Sequence, residues 1–289
     1  MPESPDRAPV VTRAFSIEGV RYEHLVIPGP FGGIPAYLLT PEDAKTRSPA
    51  VLALHGHDRQ FDLGKSEAVG LVGDAPRSLG MIAARRGCVV LAPDLPGFEE
   101  NRPSLAERKR NFALQGEAFE RLLGANALVT GGTLQGRISA ELSCCVSVLV
   151  AHEAVDPDRI FTAGHSFGGQ EALWTAVLDP RIAGCLSSCG FSLVRLIVER
   201  NISHNMALYV PGLLPDFDFD HLAASIPSKS LCVIAAVDDA IYPVEGVRAV
   251  EAKVRGVSPP FRKFSFRYLE GPHAFSAEAV GEGLGWLIA

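Results

Sequence analysis

The sequence predicts an α/β fold: a mostly parallel sheet with helices on both faces and a small cap-like insertion. Three observations predict it. Short continuous apolar runs recur at residues 50–54, 88–92 and 231–236, as expected of strands covered on both faces. Segments of helical period alternate with these runs, the order that builds a parallel sheet. No repeat, low-complexity tract or linker divides the 289 residues, a length that suits one large domain.

The elements follow in order. Residues 15–28 and 34–39 read as two early strands, separated by the breaker-rich run 28–33. The strand at 50–54 ends at His55-Gly56-His57. A helix is expected over 78–86, stopped by Gly87, and the strand at 88–92 ends at Pro93-Asp94. Residues 107–123 have helical period, and a looser Gly-rich stretch follows to Gly136. Ile138, Leu142, Cys145, Val146 and Leu149 then share one helix face. Strands are expected at 160–163, 182–187, 231–236 and 263–269, and helices at 168–178, 244–254 and 277–287. Residues 191–224 break the alternation and are read as a cap whose apolar side chains, Phe191, Leu196, Met206, Leu208, Tyr209, Leu213 and Leu214, either wall a pocket or pack the cap down. Residues 1–14 are expected to be disordered, leaving 15–289 as a single domain.

Composition narrows the partners. The net charge is −6 with no basic block, which argues against nucleic acid and anionic membranes. The N-terminus lacks the basic and apolar regions of a signal peptide, and no apolar run reaches the roughly 18 residues of a membrane span. A cytoplasmic protein acting on a small-molecule substrate is the expectation, and self-association into a homo-oligomer stays open. The six cysteines stand mostly in apolar runs and read as buried, reduced thiols. They lack zinc-site spacing, so no metal is expected. No cofactor is expected either, because no G-x-G-x-x-G follows a strand and no P-loop occurs.

The sharpest local signal is Gly164-His165-Ser166-Phe167-Gly168, a G-x-S-x-G between a predicted strand and a predicted helix. Such a turn holds a serine in a strained conformation, and its flanking positions must be nearly free of side chain. Ser166 then stands at the carboxyl end of a strand, where open α/β sheets bind ligands. A serine hydroxyl needs a base, and in this order of elements the acid and then the histidine follow downstream. His273, after the last predicted strand, is the candidate base; His204 and His221 are read as surface or cap residues. Asp238 and Asp239 both follow the strand at 231–236, and the choice falls on Asp239, because Asp239-Ala240-Ile241-Tyr242-Pro243 resembles the D-x-x-x-P turn that often carries this acid in α/β-hydrolases. The backbone N–H groups of Phe167 and His57 are the candidate oxyanion donors. His55 is read as a structural residue bonding within the loops, and Asp58 and Arg59 as either substrate neighbours or solvated charges.

These residues carry a resemblance. The run Val155-Asp156-Pro157-Asp158-Arg159-Ile160 leading into Gly164-His165-Ser166-Phe167-Gly168-Gly169 is similar to the dienelactone-hydrolase and acetyl-xylan-esterase branch of the α/β-hydrolases. Leu54-His55-Gly56-His57, Ala92-Pro93-Asp94-Leu95-Pro96-Gly97 and Tyr209-Val210-Pro211-Gly212-Leu213-Leu214 add to it. The resemblance runs from about residue 50 to the C-terminus. It implies the α/β-hydrolase fold, a Ser-His-Asp triad and esterase activity. The chain departs from it in having Asp58-Arg59-Gln60-Phe61 where relatives are often Gly-rich, in a serine where dienelactone hydrolases proper use cysteine, and in the unmatched stretch 101–136. Thioester, amide or C–C hydrolysis and acyl transfer remain alternatives on the same residues, as does a ligand-binding protein without turnover.

Overall fold

Nine strands form a single sheet in the order β1-β2-β3-β5-β4-β6-β7-β8-β9. The computed structural model describes residues 8–44, 47–73, 78–214 and 216–289. Strands Val10–Ile17 (β1), Val20–Gly29 (β2) and Gly32–Pro41 (β3) are antiparallel, and β3 pairs antiparallel with Val89–Pro93 (β5). Everything beyond is parallel: β5, Ser48–Leu54 (β4), Val155–His165 (β6), Ile182–Ser188 (β7), Ser230–Ala236 (β8) and Lys263–Leu269 (β9). The carboxyl ends of the parallel strands therefore share one edge, where the loops that carry His57, Ser166, Asp239 and His273 emerge.

The strand period sorts the core into two layers. Leu52, Leu91 and Val233 face a cluster that includes residues of Leu134–Ala151 (α5), Phe167–Leu178 (α6), Phe219–Ala224 (α8) and Val244–Arg255 (α9). Val51, Val90 and Ile234 face the other side, against Leu79–Ala84 (α2) and Ala277–Ile288 (α10). Successive side chains alternate across a strand, so each strand supplies both layers and reads as a continuous apolar run. α5 is long and apolar enough to cross a membrane by length and composition, but half of it is buried, and it carries an Arg137–Glu141 ion pair at 3.0 Å. Its buried face, from Leu134 to Leu149, packs as a core helix.

Four elements differ from the sequence expectation. The first expected strand, 15–28, is two strands joined at Glu18-Gly19, whose φ of 50° and 74° are those of a tight hairpin turn that keeps the strand twist. Residues 10–14, expected to be disordered, form the first half of β1; residues 1–7 lie outside the described residues. The helix expected over 107–123 is interrupted: Leu105–Arg110 (α3) ends in the extended residue Asn111, and Gly116–Val129 (α4) follows and runs into the stretch read as loose. A further short helix, Lys65–Ala68 (α1), had no expectation attached to it. The region 191–224 holds Val194–Glu199 (α7), a single tight turn at Met206–Leu208, and α8. All six cysteines are buried and carry free thiols.

At the crossing of β6 and α6, backbone packs against backbone with no room for a side chain. A Cβ on Gly164 would lie 2.2 Å from the carbonyl of Gly168, and one on Gly168 would lie 2.1 Å from the carbonyl oxygen of Leu54. Backbone cannot yield there as a flexible side chain can, so overpacking falls at or above its usual cost. Gly168→Ala is expected to destabilise the protein by about 3 kcal/mol. The denaturant midpoint of the variant against the parent checks this.

Candidate active site

Ser166 occupies the cap position of α6 with φ 55° and ψ −121°, a conformation disfavoured for a side-chain-bearing residue and worth roughly 1–3 kcal/mol of strain. Its side chain does not cap the helix. Its Oγ instead lies 2.9 Å from Nε2 of His273. The backbone fixes this direction: the Ser166 N–H donates to the Ser188 carbonyl at 2.8 Å, extending the β6–β7 pairing into the turn.

His273 sits in the loop between β9 and α10. Its Nδ1 lies 2.7 Å from Oδ2 of Asp239. A carboxylate only accepts, so Nδ1 carries the proton and Nε2 is left to accept from the Ser166 hydroxyl. Asp239 is 7% exposed, and its other oxygen accepts the N–H groups of Ile241 and Tyr242 at 2.8 and 2.9 Å. This turn, closed by an aspartate on its own backbone, aims Oδ2 at His273. The neighbouring Asp238 is exposed, and its N–H ties the loop to the carbonyl of Gly271 beside His273 at 3.0 Å. The structure thus brings Ser166, His273 and Asp239 into one hydrogen-bonded series and leaves Asp238 outside it.

The two expected N–H donors flank Ser166. Phe167 is the first residue of α6, where helix N–H groups have no partner within the helix. His57 follows β4, and its N–H has no acceptor among the described residues. Behind it, His55 is 4% exposed; its Nδ1 lies 2.8 Å from the Gly56 carbonyl and its Nε2 accepts the Leu95 N–H at 3.0 Å. Burial lowers its pKa to about 4, so it stays neutral and can hold both bonds. The loop after β5 is held by a buried lysine. Lys65 Nζ meets Asp94, Glu99 and Glu100 at 2.9, 2.7 and 2.9 Å; burial works to lower its pKa, but Asp94 and Glu99 outweigh it and raise the pKa.

A cavity of about 420 Å³ opens over Ser166 and His273. Of the apolar residues expected to wall it, Met206 and Tyr209 do so. Phe191 and Leu208 are buried in the core, and Leu196, Leu213 and Leu214 pack against it. The facing wall comes from α4, with Glu117, Glu120 and Arg121, in the stretch 107–123 that the sequence read as helical but gave no part in the site. Asp58 and Arg59 line the mouth, and Arg59 pairs with Glu117 at 2.9 Å. His204 lines the cavity too, its ring tilted against Tyr242 at 4.5 Å between centroids, and burial lowers its pKa to about 4. Its Nε2 donates to the Ile241 carbonyl at 3.1 Å. One group of potential metal ligands converges among the described residues: Cys189, Asp239 and His273, with ligating atoms within 4.8 Å of one another. Asp239 and His273 are already bonded to each other there, and burial pushes the Cys189 thiol up to about 11, away from the thiolate a metal needs.

No family model matches the chain. It is 30% identical over 261 residues to "Putative hydrolase YtaP" of Bacillus subtilis strain 168, covering 88% of this chain and 82% of that one. The chain belongs to the α/β-hydrolase family. Among solved structures, this α/β-hydrolase resembles acetyl xylan esterase 1 from Thermoanaerobacterium sp. JW/SL YS485, with a TM-score of 0.68 and 18% identity over 97% of this chain and 86% of that one. The acetyl xylan esterase from Paenibacillus sp. R4 is similar at a TM-score of 0.68 and 20% identity, over 96% and 87%. At such identities the likeness is one of fold.

α6 carries a buried carboxyl with no cation beside it among the described residues. Glu171 is fully buried, bonded to Gln135 at 2.6 Å and Gln170 at 3.0 Å, and burial raises its pKa to about 8. Unfolding releases its proton at any pH between the ordinary carboxylate range and about 8. Its contribution to stability therefore falls as pH rises through that window and levels off above it. Glu171→Gln removes the titrating group, so the Tm difference between variant and parent should move in the variant's favour from pH 5 to pH 8. Thermal unfolding across that range measures it.

Proposed function

We propose that this α/β-hydrolase is a serine hydrolase that cleaves a carboxylic ester of a small molecule through an acyl-enzyme. The observation that carries the reading is the placement of His273 between Ser166 Oγ at 2.9 Å and Asp239 Oδ2 at 2.7 Å. Ser166 attacks the ester carbonyl while Nε2 of His273 takes its proton. Asp239 holds the imidazole in the required tautomer and stabilises the imidazolium. The N–H groups of His57 and Phe167 receive the oxyanion. The alcohol leaves with a proton from His273, and a water activated by the same imidazole then releases the acid. The likeness to two acetyl xylan esterases supports an ester over other acyl compounds.

The cavity sets the size and polarity of the substrate. At about 420 Å³ it suits a small molecule, and its charged wall, Asp58, Arg59, Glu117, Glu120 and Arg121, offers little to a long alkyl chain. Short acyl esters are therefore the preferred substrates.

Steady-state hydrolysis of p-nitrophenyl esters tests both statements. Ser166→Ala should lower kcat/KM by roughly 10³-fold or more with the fold intact. Wild-type kcat/KM should fall as the acyl chain lengthens beyond butyrate. Activity that survives the loss of the Ser166 hydroxyl contradicts the mechanism.

A further inference from the structure

His57 is the one candidate oxyanion donor that does not sit on a helix. Its N–H must be aimed by a loop, and that loop is strained. Asp58 and Arg59, the next two residues, have φ of 40° and 55°, consecutive left-handed conformations on residues with side chains. Such backbone persists only where its surroundings hold it. The His57 ring shows what holds it. Nδ1 accepts the N–H of Arg59 at 3.2 Å, which places the ring proton on Nε2. That N–H donates to Oε2 of Glu120 at 3.2 Å. Phe61, Phe98 and Phe167 pack around the ring in edge-to-face geometry, at 5.0, 5.3 and 5.8 Å between centroids. Glu120 is therefore the ring's polar anchor outside its own loop among the described residues.

Glu120 is itself fixed. Its side chain is 6% exposed, and its other oxygen accepts the Met206 N–H at 3.1 Å. Met206 lies against Gly124 of the same helix, where a Cβ would stand 2.4 Å from its Cγ. The carboxylate thus joins α4, the 203–209 wall and the loop after β4 at one point. We propose that Glu120 is a positioning residue for the reaction: through the His57 ring it holds the His57 backbone N–H on the developing oxyanion. This rests on the reading of Ser166 as nucleophile.

A group that acts only through the His57 ring loses its effect when the ring is gone. Glu120→Ala, His57→Ala and the double variant are compared by kcat and KM on a short p-nitrophenyl ester, with thermal unfolding measured on each. His57→Ala keeps the backbone N–H and removes the ring. Loss of an entire oxyanion donor costs about 10²–10³ in kcat, and a loosened one costs less. Glu120→Ala is expected to lower kcat about tenfold with KM within about twofold, and the double variant to be no slower than His57→Ala alone. Glu120→Gln keeps one acceptor for the ring but cannot accept from both donors, so its kcat falls between those of Glu120→Ala and the parent. Losses that multiply in the double variant, a loss confined to KM, or an unchanged kcat overturns the proposal. Should the alanine variant fail to fold, the cycle is run with Glu120→Gln, and a loss that persists undiminished on top of His57→Ala overturns it. Ser166→Ala in the same assay separates the two claims. Activity that survives it, or a wild type without turnover, overturns the nucleophile reading. Serine-dependent activity with an additive cycle overturns only the role of Glu120.

Discussion

The backbone contact among Leu54, Gly164 and Gly168 sets the geometry on which the site depends. No side chain fits between these residues: a Cβ at either glycine would fall 2.1–2.2 Å from a neighbouring backbone atom. The contact lets α6 start directly over the ends of β4 and β6. It forces Ser166 into a strained turn and leaves its Oγ out of the helix cap. Folding free energy from the two packed layers sustains this strain. Leu52, Leu91 and Val233 on one side and Val51, Val90 and Ile234 on the other leave the strands no freedom to shift.

The other site residues reach Ser166 because parallel strands end on one edge. β8 delivers Asp239 and β9 delivers His273, and the loops that follow are bonded to each other through Val237 and Leu269 and through Asp238 and Gly271. Neither loop has to close over a long span, so the hydrogen bond between Asp239 and His273 forms within a rigid frame. The loops after β4 and β5 need more support. There, neutral His55 and the buried Lys65 fasten the backbone from below, and Glu120 anchors His57 from above. Preorganised dipoles are most effective where they do not have to reorient as charge develops, and under the proposed mechanism these anchors would serve that end.

Much of this was legible in the sequence because local rules coincide with the topology. The apolar runs at 50–54, 88–92 and 231–236 are buried on both faces, so their strand character did not depend on any neighbour. The G-x-S-x-G turn carries its steric reason within five residues, whereas Asp239 was preferred to Asp238 only on the likeness of its D-x-x-x-P turn, and the bonds from its carboxylate to the Ile241 and Tyr242 N–H groups became visible in the structure. The hairpin at Glu18-Gly19 was missed because Glu-Gly is a weaker turn signal than Asn-Gly or Asp-Gly, and Ile17 and Val20 continue the β pattern across it. α4 was cut short because its later half, Gly124 to Val129, combines a glycine with an exposed valine, and only the contact with Met206 explains the glycine. Glu120 and His204 belong to no motif. Their roles arise from contacts with residues 63 and 37 positions away, and no spacing rule reports those.

The central claim is that Ser166 is a nucleophile activated by His273. Intact-mass and peptide mass spectrometry after exposure to a diethyl p-nitrophenyl phosphate ester tests it most directly. The account predicts one diethylphosphoryl group per chain, on the peptide carrying Ser166, formed far more slowly when His273 is replaced by alanine. A wild-type chain that stays unmodified, or that carries the adduct on another residue, would contradict it.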